Sequence, residues 1–286
     1  MGAFSGKDDG NMDKQDKTTN THFSPLVLAV ETSSRIGSVA LAIGDRLIEE
    51  STFSSPMQHS AEIFPEIEGM LIRHGLTPQN IDQIHIAIGP GSFTGLRIAA
   101  TLAKTMHLAQ AVRIVTVGSL DIVAANLAGA SGDNQAEPGP DPLPDRIATL
   151  FDAKRGQFYV SVYDLAPADA NSLQRAGEED PGYRIPAPGG AVWRKIHRDS
   201  LMTTAEIADG FAGNGLLGVL GDGLLYHREE FAMANVTILH ERYWPPRAAN
   251  VHRLGRQKAL AGRFADPLSL TPFYLRGPQV TLRTRP

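Results

Sequence analysis

The sequence predicts an α/β protein made of two similar lobes, and three observations point to this fold class. The composition is that of a globular protein, since 42% of the 286 residues are hydrophobic and 20% are charged. Short apolar runs of strand length alternate with longer stretches that have helical periodicity. The order of these elements in the first half also recurs in the second half, which indicates that one structural unit is present twice.

The first half begins with three predicted strands. Residues 26–30 form an apolar run typical of a buried strand, and residues 37–43 alternate as a half-buried strand does. Gly44 tolerates the positive φ of a tight hairpin turn, so residues 46–53 complete an antiparallel meander. The first strand is followed directly by an acid, Glu31, and a polar turn.

A helix, a strand and a glycine-rich loop follow the meander. An apolar face at helical spacing predicts a helix within 57–74, which Pro65 kinks or starts. Residues 84–88 form the next predicted strand, and the loop from Gly89 to Gly95 comes directly after it. The predicted elements beyond this loop are a helix over 96–110, a strand over 112–117 and a helix over 120–127.

The second half repeats this order after an interruption. Residues 131–145 carry four prolines and therefore predict an insertion or linker. Beyond it, an apolar run again ends at an acid, Asp152, and a polar turn again leads into an alternating strand. The predicted elements of this half are strands over 147–151, 157–163, near 183–193 and over 216–220, and helices over 203–212, near 223–233 and near 247–262.

This repeat describes the duplicated ribonuclease-H-like architecture of actin, the sugar kinases and the heat-shock ATPases. Two ordinary α/β domains joined by a linker are the alternative that the pattern leaves open. The predicted division of the chain is a disordered leader over 1–24, a first actin-like lobe over 25–128, a proline-rich insertion over 129–145 and a second actin-like lobe over 146–286, with the option that the late helix near 247–262 packs back on the first lobe.

Composition also excludes several functions. The chain has no cysteine, which excludes disulfides, zinc–thiolate sites and thiol catalysis. A net charge of −4 provides no overall attraction to nucleic acid. No stretch approaches the roughly 20 apolar residues of a membrane span, and no secretory signal is recognised, so a cytoplasmic protein is expected. The C-terminal arginines are interpreted as a solvated tail; they are Arg276, Arg283 and Arg285.

The glycine-rich loop is the most informative local feature. Three glycines in seven residues indicate backbone conformations that other residues resist. A strand before the loop and a helix after it would direct free N–H groups at one point, which is a ready anion site. Ser92 or Thr94 is a candidate for the helix cap. The spacing does not fit a dinucleotide fingerprint, a P-loop or a nucleophile elbow, so a capped structural turn is favoured over a phosphate cradle.

The string from Gly89 to Ile98 resembles the signature of the TsaB family, also called YeaZ. Its signature-loop residues here are Gly89, Pro90, Gly91, Ser92, Phe93, Thr94, Gly95 and Arg97. Weaker similarities follow in the family's order, at Glu31 to Ser34, His59 to Pro65, Asp152 to Tyr159, Gly221 to Gly223 and Pro272 to Arg276. The resemblance covers residues 25–280 apart from the proline-rich insertion, and the family more usually has Asp at the position of Glu31.

The resemblance implies a two-lobed fold and a non-catalytic function. Family members are the non-catalytic partner in placing threonylcarbamoyl on the adenosine beside the tRNA anticodon, so no catalytic residue is expected in this chain. The implied partners are a TsaD-like threonylcarbamoyl transferase, its TsaE-like ATPase subunit, tRNA indirectly, and a second copy of the chain when the transferase is missing. The family pairs through the two helices of the first lobe, which makes the interface candidates Ile63, Ile67, Met70, Ala99 and Ala103.

Two other functions of this superfamily remain open from the sequence. An ATPase or kinase would hold phosphates with the turns that follow the first strand of each half. We interpret those positions as vestigial, and we expect ATP or ADP to bind only within the complex. They are Glu31, Thr32, Ser33, Asp152, Gly221 and Gly223. A metal-dependent, glycoprotease-like transferase needs a His-x-x-x-His pair on the first helix. Here Ile63 stands four residues after His59, so no metal is expected.

Overall fold

The computed structural model describes residues 24–56, 58–128, 143–168, 183–213 and 215–276. Within these residues the chain forms two mixed β-sheets with flanking helices, which confirms the predicted α/β class and its two-lobed form. Outside the described residues lie the predicted leader except its last residue, almost all of the proline-rich insertion, and Arg283 and Arg285.

The first sheet has five strands in the order β3-β2-β1-β4-β5. Their bounds are β1 Leu26–Glu31, β2 Ser38–Ile43, β3 Arg46–Thr52, β4 Gln83–Gly89 and β5 Arg113–Gly118. Three helices accompany them: α1 His59–Arg73, α2 Phe93–Gln110 and α3 Ser119–Ala124. Strand β1 pairs antiparallel with β2 and parallel with β4, so the loops that follow β1 and β4 emerge side by side.

The second sheet has six strands in the order β11-β10-β6-β7-β9-β8. Their bounds are β6 Arg146–Asp152, β7 Phe158–Ala166, β8 Ile185–Pro186, β9 Val192–Met202, β10 Leu217–Leu220 and β11 Val236–Ile238. Its helices are α4 Thr204–Phe211 and α5 Ala248–Leu260. Strand β6 pairs antiparallel with β7 and parallel with β10, which is the pairing that β1 makes in the first sheet. The repeated unit that the sequence indicated is therefore present in the backbone.

Two predicted elements of the second half were wrong. The third meander strand is not near 183–193 but is β9, of which only Val192 and Trp193 are buried, so its apolar pattern stops where the strand has barely begun. The predicted helix near 223–233 is instead two short 3-10 turns, Asp222–Leu225 and Arg228–Phe231. The first of these turns is fixed by contact with strand β6, described below, rather than by helical propensity.

Helix α5 packs on the first sheet although it lies in the second half of the sequence. The Glu50 carboxylate accepts a hydrogen bond from the Ala249 N–H (2.9 Å), and the Ser38 hydroxyl accepts one from the Ala248 N–H (2.9 Å). These bonds satisfy N–H groups of the first turn of the helix, which have no partner inside it. The start of α5 is thus fixed by two strands of the first lobe.

Two hydrophobic cores hold the molecule together. One lies between the first sheet and helices α1 and α2, and includes Ile63, Met70 and Ala99. The other begins on the opposite face of the first sheet and continues through α3 and α5 into the second sheet. Because this second core contains side chains from both lobes, the lobes form one packed body.

Candidate functional site

The glycine-rich loop connects β4 to α2, and Ser92 is the N-cap residue of that helix. The Ser92 hydroxyl accepts a hydrogen bond from the Gly95 N–H (3.3 Å). Helix α2 begins at Phe93, three residues earlier than predicted, because Ser92 and not Thr94 is the cap residue. The capped turn that the sequence favoured is the structure that is found.

The same loop packs against the turn that follows β1. The Ser92 N–H donates to the Ser33 carbonyl (2.7 Å), and the Thr32 hydroxyl donates to the Gly95 carbonyl (2.8 Å). A Cβ atom on Gly95 would lie 1.8 Å from the Thr32 carbonyl oxygen, and one on Gly91 would lie 2.3 Å from the Ser33 carbonyl oxygen. Both glycines are therefore required by the close approach of two backbone segments.

Glu31 is fully buried at the end of β1. Its Oε1 accepts hydrogen bonds from the Ser33 N–H and from the Ser33 hydroxyl (2.6 Å), whereas its Oε2 has no hydrogen-bond partner. Burial raises the pKa of Glu31 to about 7; the Ser33 bonds oppose this rise and the nearby Asp222 carboxylate adds to it. Near neutral pH this carboxyl is thus poised between its protonated and charged forms.

A small polar cleft of about 180 Å³ lies between the two lobes. Its lining residues are Ser33, Ser34, Arg35, Gly91, Ser92, Phe151, Asp152, Lys154, Asp222 and Tyr226. Of the predicted vestigial positions, Ser33 and Asp152 line this cleft, one from each lobe. The other four do not line it; they are Glu31, Thr32, Gly221 and Gly223. Pockets that take ligands of drug size usually measure about 300–1,000 Å³.

The charged groups of this cleft have hydrogen-bond partners within the chain. The Lys154 ammonium lies 2.6 Å from the Asp152 carboxylate, and the Arg35 guanidinium donates to the Tyr226 hydroxyl. Burial raises the pKa of Asp222 to about 6, against the lowering effect of its bonds from Ser34 and Arg35. Protein groups from both lobes thus already satisfy much of the charge that a phosphate or a metal ion would meet here.

The second lobe has its own glycine contact beside this cleft. A Cβ atom on Gly221 would lie 2.1 Å from the Leu150 carbonyl oxygen, and one on Gly223 would lie 3.1 Å from the Asp152 nitrogen. These two glycines let the turn after β10 pack on the end of β6. The contact gives them a packing role, which accounts for them without a bound ligand.

An apolar groove of about 440 Å³ runs between α1 and α2 on the outside of the first lobe. Its lining residues are Ser60, Phe64, Phe93, Thr94, Arg97, Ile98, Thr101, Leu102 and Thr105. Phe64 is 60% exposed and Phe93 is 41% exposed, which is unusual for phenylalanine side chains. This groove is the part of the described surface where two large aromatic side chains flank an open apolar hollow.

Four of the five interface candidates are core residues, which corrects the prediction for them. Their side chains are fully buried between the helices and the first sheet; they are Ile63, Met70, Ala99 and Ala103. Ile67 is partly buried against the same core. The apolar stripe on each helix marks the face that packs on the sheet, so the exposed face belongs to other residues. Phe64 lies beside that stripe, and an aromatic residue outside the stripe was the signal that the sequence offered.

His59 is buried at the start of α1 and bonded within the first lobe. Its Nε2 lies 2.9 Å from the Ser34 carbonyl oxygen, and burial lowers the pKa of the ring, which favours its neutral form. Ile63, four residues further on, is completely buried in the core. In the described part of the chain, no three histidine, aspartate or glutamate side chains are grouped so that they could hold a metal ion.

The C-terminal segment returns to the first lobe before it reaches the second. The Ala265 N–H donates to the Ile114 carbonyl (2.8 Å) on β5. Further on, Arg276 donates from Nη1 to the Ala153 carbonyl (2.7 Å). The interpretation of Arg276 as part of a solvated tail was therefore wrong, because carbonyl acceptors of the second lobe bind its guanidinium.

None of the helices in the described ranges has the length and apolar character required to cross a membrane.

The fold and the site define a two-lobed protein of the actin-like class, with a packed inter-lobe cleft and an apolar groove on its first lobe. A family model described as TsaD, tRNA N6-adenosine threonylcarbamoyltransferase, matches residues 50–179. The tRNA threonylcarbamoyladenosine biosynthesis protein TsaB of Bacillus subtilis is 35% identical over 137 residues, which is 48% of this chain and 54% of that protein. The TsaB protein of Escherichia coli is 29% identical over 153 residues, which is 54% of this chain and 59% of that protein.

The matched regions therefore span a little over half the length of these curated relatives. Among solved structures, YeaZ from Pseudomonas aeruginosa superposes with a TM-score of 0.65 at 21% identity, over 88% of this chain and all of that one. This likeness shows the shared fold. Together with the TsaB relatives, it confirms the resemblance to the TsaB (YeaZ) family that the glycine-rich loop suggested.

Proposed function

We propose that this protein is a non-catalytic subunit that binds and activates a threonylcarbamoyl transferase acting on tRNA. The TsaB relatives carry the name of that biosynthesis. The observation that carries the proposal is the groove between α1 and α2, where Phe64 and Phe93 remain exposed. Exposed aromatic side chains around an apolar hollow are typical of protein–protein contact sites, in which aromatic anchors supply most of the binding energy.

The non-catalytic part of the proposal rests on how the ligand positions of related enzymes are filled. A buried isoleucine, Ile63, stands where a metal-dependent transferase needs its second histidine. The cleft between the lobes measures about 180 Å³, and its charged groups are hydrogen-bonded within the chain, Lys154 to Asp152 among them. We propose that ATP or ADP binds only within the complex. Calorimetry with ATP and magnesium should therefore give no binding heat for the isolated chain, and micromolar affinity would instead favour the kinase or ATPase alternative.

The remaining partners follow from the same proposal. The TsaE-like ATPase subunit joins the complex. This chain contacts tRNA only indirectly, as part of that complex, and its location is the cytoplasm, where tRNA is modified. A second copy of the chain occupies the groove when the transferase is absent, because an exposed apolar hollow is costly to leave open to water. Dilution of the isolated chain should then shift a dimer towards monomer. Added transferase should also break up the dimer, because it replaces the second copy in the groove.

Phe64→Asp tests the groove directly. The change places a charge on an exposed position, so the fold should remain while affinity for the transferase falls at least tenfold, as expected for an aromatic anchor. Leu260→Asp is the matched control, because Leu260 is 65% exposed at the end of α5, and its affinity should stay at the wild-type value. Titration calorimetry measures both. If folded Phe64→Asp binds as tightly as the control, the groove is not the transferase site.

A further inference from the structure

The last described residues form a strap across the first lobe, which we define as residues 270–276. Leu270 is buried in the core beneath α1 and α2. The Phe273 N–H then donates to the Ile88 carbonyl (2.8 Å) at the end of β4. A Cβ atom on Gly89 would lie 2.5 Å from the Phe273 carbonyl oxygen. The strap therefore packs closely on the start of the glycine-rich loop.

The far end of the strap is attached to the second lobe. The Arg276 guanidinium donates to the Ala153 carbonyl (2.7 Å) and to the Gln157 side-chain oxygen. Both acceptors belong to the turn between β6 and β7. The strap is therefore fixed at both ends, by a buried leucine in one lobe and by hydrogen bonds to the other.

Between these anchors, Tyr274 contacts two residues that line the apolar groove. Its hydroxyl accepts a hydrogen bond from Arg97 Nε (3.3 Å), and its ring lies 5.1 Å from the Phe93 ring, centroid to centroid. The Arg97 guanidinium carbon in turn lies 3.8 Å above the centre of the Phe93 ring. Tyr274 does not line the groove itself but contacts two residues that do.

We infer that the strap is a brace that orders one wall of the docking groove, with Tyr274 as the residue that positions Arg97. This inference rests on the proposed function, since it concerns the same groove. An exposed arginine loses much rotamer freedom when a partner binds it, and a brace that restricts the side chain beforehand reduces that loss. The contact with Tyr274 uses Nε alone, so the guanidinium has two further donor groups for a carboxylate on the transferase.

Tyr274→Phe tests the brace with the smallest change. The ring and its packing remain while the acceptor for Arg97 is lost, so affinity for the transferase should fall about two- to tenfold, the range for one immobilised side chain. Tyr226→Phe is the matched control, because its hydroxyl also accepts from an arginine, Arg35, but at the inter-lobe cleft. Its affinity should stay within about twofold of wild type. Equal affinities for the two variants overturn the inference.

A double-mutant cycle separates positioning from general stability. In an Arg97→Ala chain, Tyr274→Phe should have no further effect on transferase affinity, because the side chain through which it acts is gone. A merely structural role would lower the unfolding temperature and weaken binding equally in both backgrounds. Additive effects in this cycle therefore reject Tyr274 as a positioning residue for Arg97.

A measurement on the isolated chain keeps the inference separate from the proposed function. In ¹⁵N relaxation, the Arg97 Nε–H group, identified by its loss in Arg97→Lys, should show restricted motion that Tyr274→Phe releases. Unchanged motion in Tyr274→Phe overturns the brace. A wild-type chain that shows this restriction but does not bind the transferase would instead retain the brace and contradict the proposed function.

Discussion

Both lobes bring a glycine against the backbone near the end of their first strand, but they treat the acid there in opposite ways. In the first lobe, Gly95 packs on the Thr32 carbonyl; in the second, Gly221 packs on the Leu150 carbonyl. Each glycine follows the strand that runs parallel to the first strand of its lobe. Each lobe therefore contains a close backbone approach that only glycine permits, although the contacted carbonyl follows the acid in the first lobe and precedes it in the second.

The two acids differ because only one of them is sealed from water. Glu31 is fully buried, and its pKa is raised to about 7 by that burial. Burial also acts to raise the pKa of Asp152, but its hydrogen bonds from Lys154 outweigh this effect, and the pKa is lowered. A shared backbone geometry thus does not dictate a shared charge state.

The elements after the glycine contact differ as well. In the first lobe, α2 continues for 18 residues and forms one side of the groove. In the second lobe, the corresponding position holds two 3-10 turns of four residues each. Within the described structure, the apolar groove therefore belongs to the first lobe, and the duplication supplied the frame without supplying a second docking surface.

The largest expected effect comes from filling a glycine contact. Gly95→Ala places a methyl group 1.8 Å from the Thr32 carbonyl oxygen, so the free energy of unfolding should fall by about 3 kcal/mol or more. Gly210→Ala is the control, because Gly210 lies in α4 with open space around it, and it should gain about 0.5 kcal/mol. Urea unfolding measures both variants. Similar stabilities for the two would show that the backbone contact yields easily.

A medium effect is expected from the pH dependence of Glu31. Its pKa of about 7 lies above the ordinary value of 4.5, so the folded chain holds the proton more tightly than the unfolded chain. The resulting stabilisation is complete below the ordinary pKa and is lost as the pH rises through about 7. Relative to Glu31→Gln, the wild type should lose about 2 kcal/mol of stability between about pH 5 and about pH 7.5.

Asp152→Asn provides the contrast for that measurement. Since the pKa of Asp152 is lowered from 3.8, its carboxylate is charged in both the folded and unfolded chains over this pH range. The stability difference between wild type and Asp152→Asn should therefore have a much smaller slope from about pH 5 to about pH 7.5, arising only from the weak effect of Asp152 on the pKa of Asp222. Equal pH slopes for the two pairs would contradict the different charge states of the two acids.

The smallest effects concern Lys154, which has a φ of +66°. Its side chain is 78% exposed, so losing the pair with Asp152 in Lys154→Ala should change stability by less than about 1 kcal/mol. Lys154→Gly should be more stable than Lys154→Ala by about 1 kcal/mol, because glycine adopts positive φ without steric cost. Thermal unfolding of the two variants compares them, and a more stable alanine variant would refute this account.

The strands of the first lobe were predictable because their burial follows a simple period. Alternation placed β2 within one residue of its observed bounds, and the apolar run of β1 was equally clear. Strand β9 was misplaced because most of it is only half-buried and carries charged residues. A strand whose face is left in partial contact with water has no apolar period for the sequence to display.

The site was predictable in its parts but not in their arrangement. The three glycines from Gly89 to Gly95 indicated unusual backbone geometry, but not what they contact: Gly91 and Gly95 pack on Thr32 to Ser33, and Thr32 lies 63 residues from Gly95 in sequence. Similarly, the helical periods of α1 and α2 indicated apolar faces. They could not show that Ala99 and Ala103 face the sheet while Phe64 faces the groove.

The sequence by itself determined the duplicated α/β unit, the glycine-rich loop with its capped helix and the likeness to one family, because each depends on neighbours close in the chain. Only the tertiary structure decided that the glycines accommodate a second backbone segment, that Glu31 is sealed while Asp152 is paired, and that the strap through Tyr274 reaches the groove. These facts depend on distances between segments far apart in sequence. Local periodicity indicates which residues of an element are buried, but it carries no information about which segment buries them.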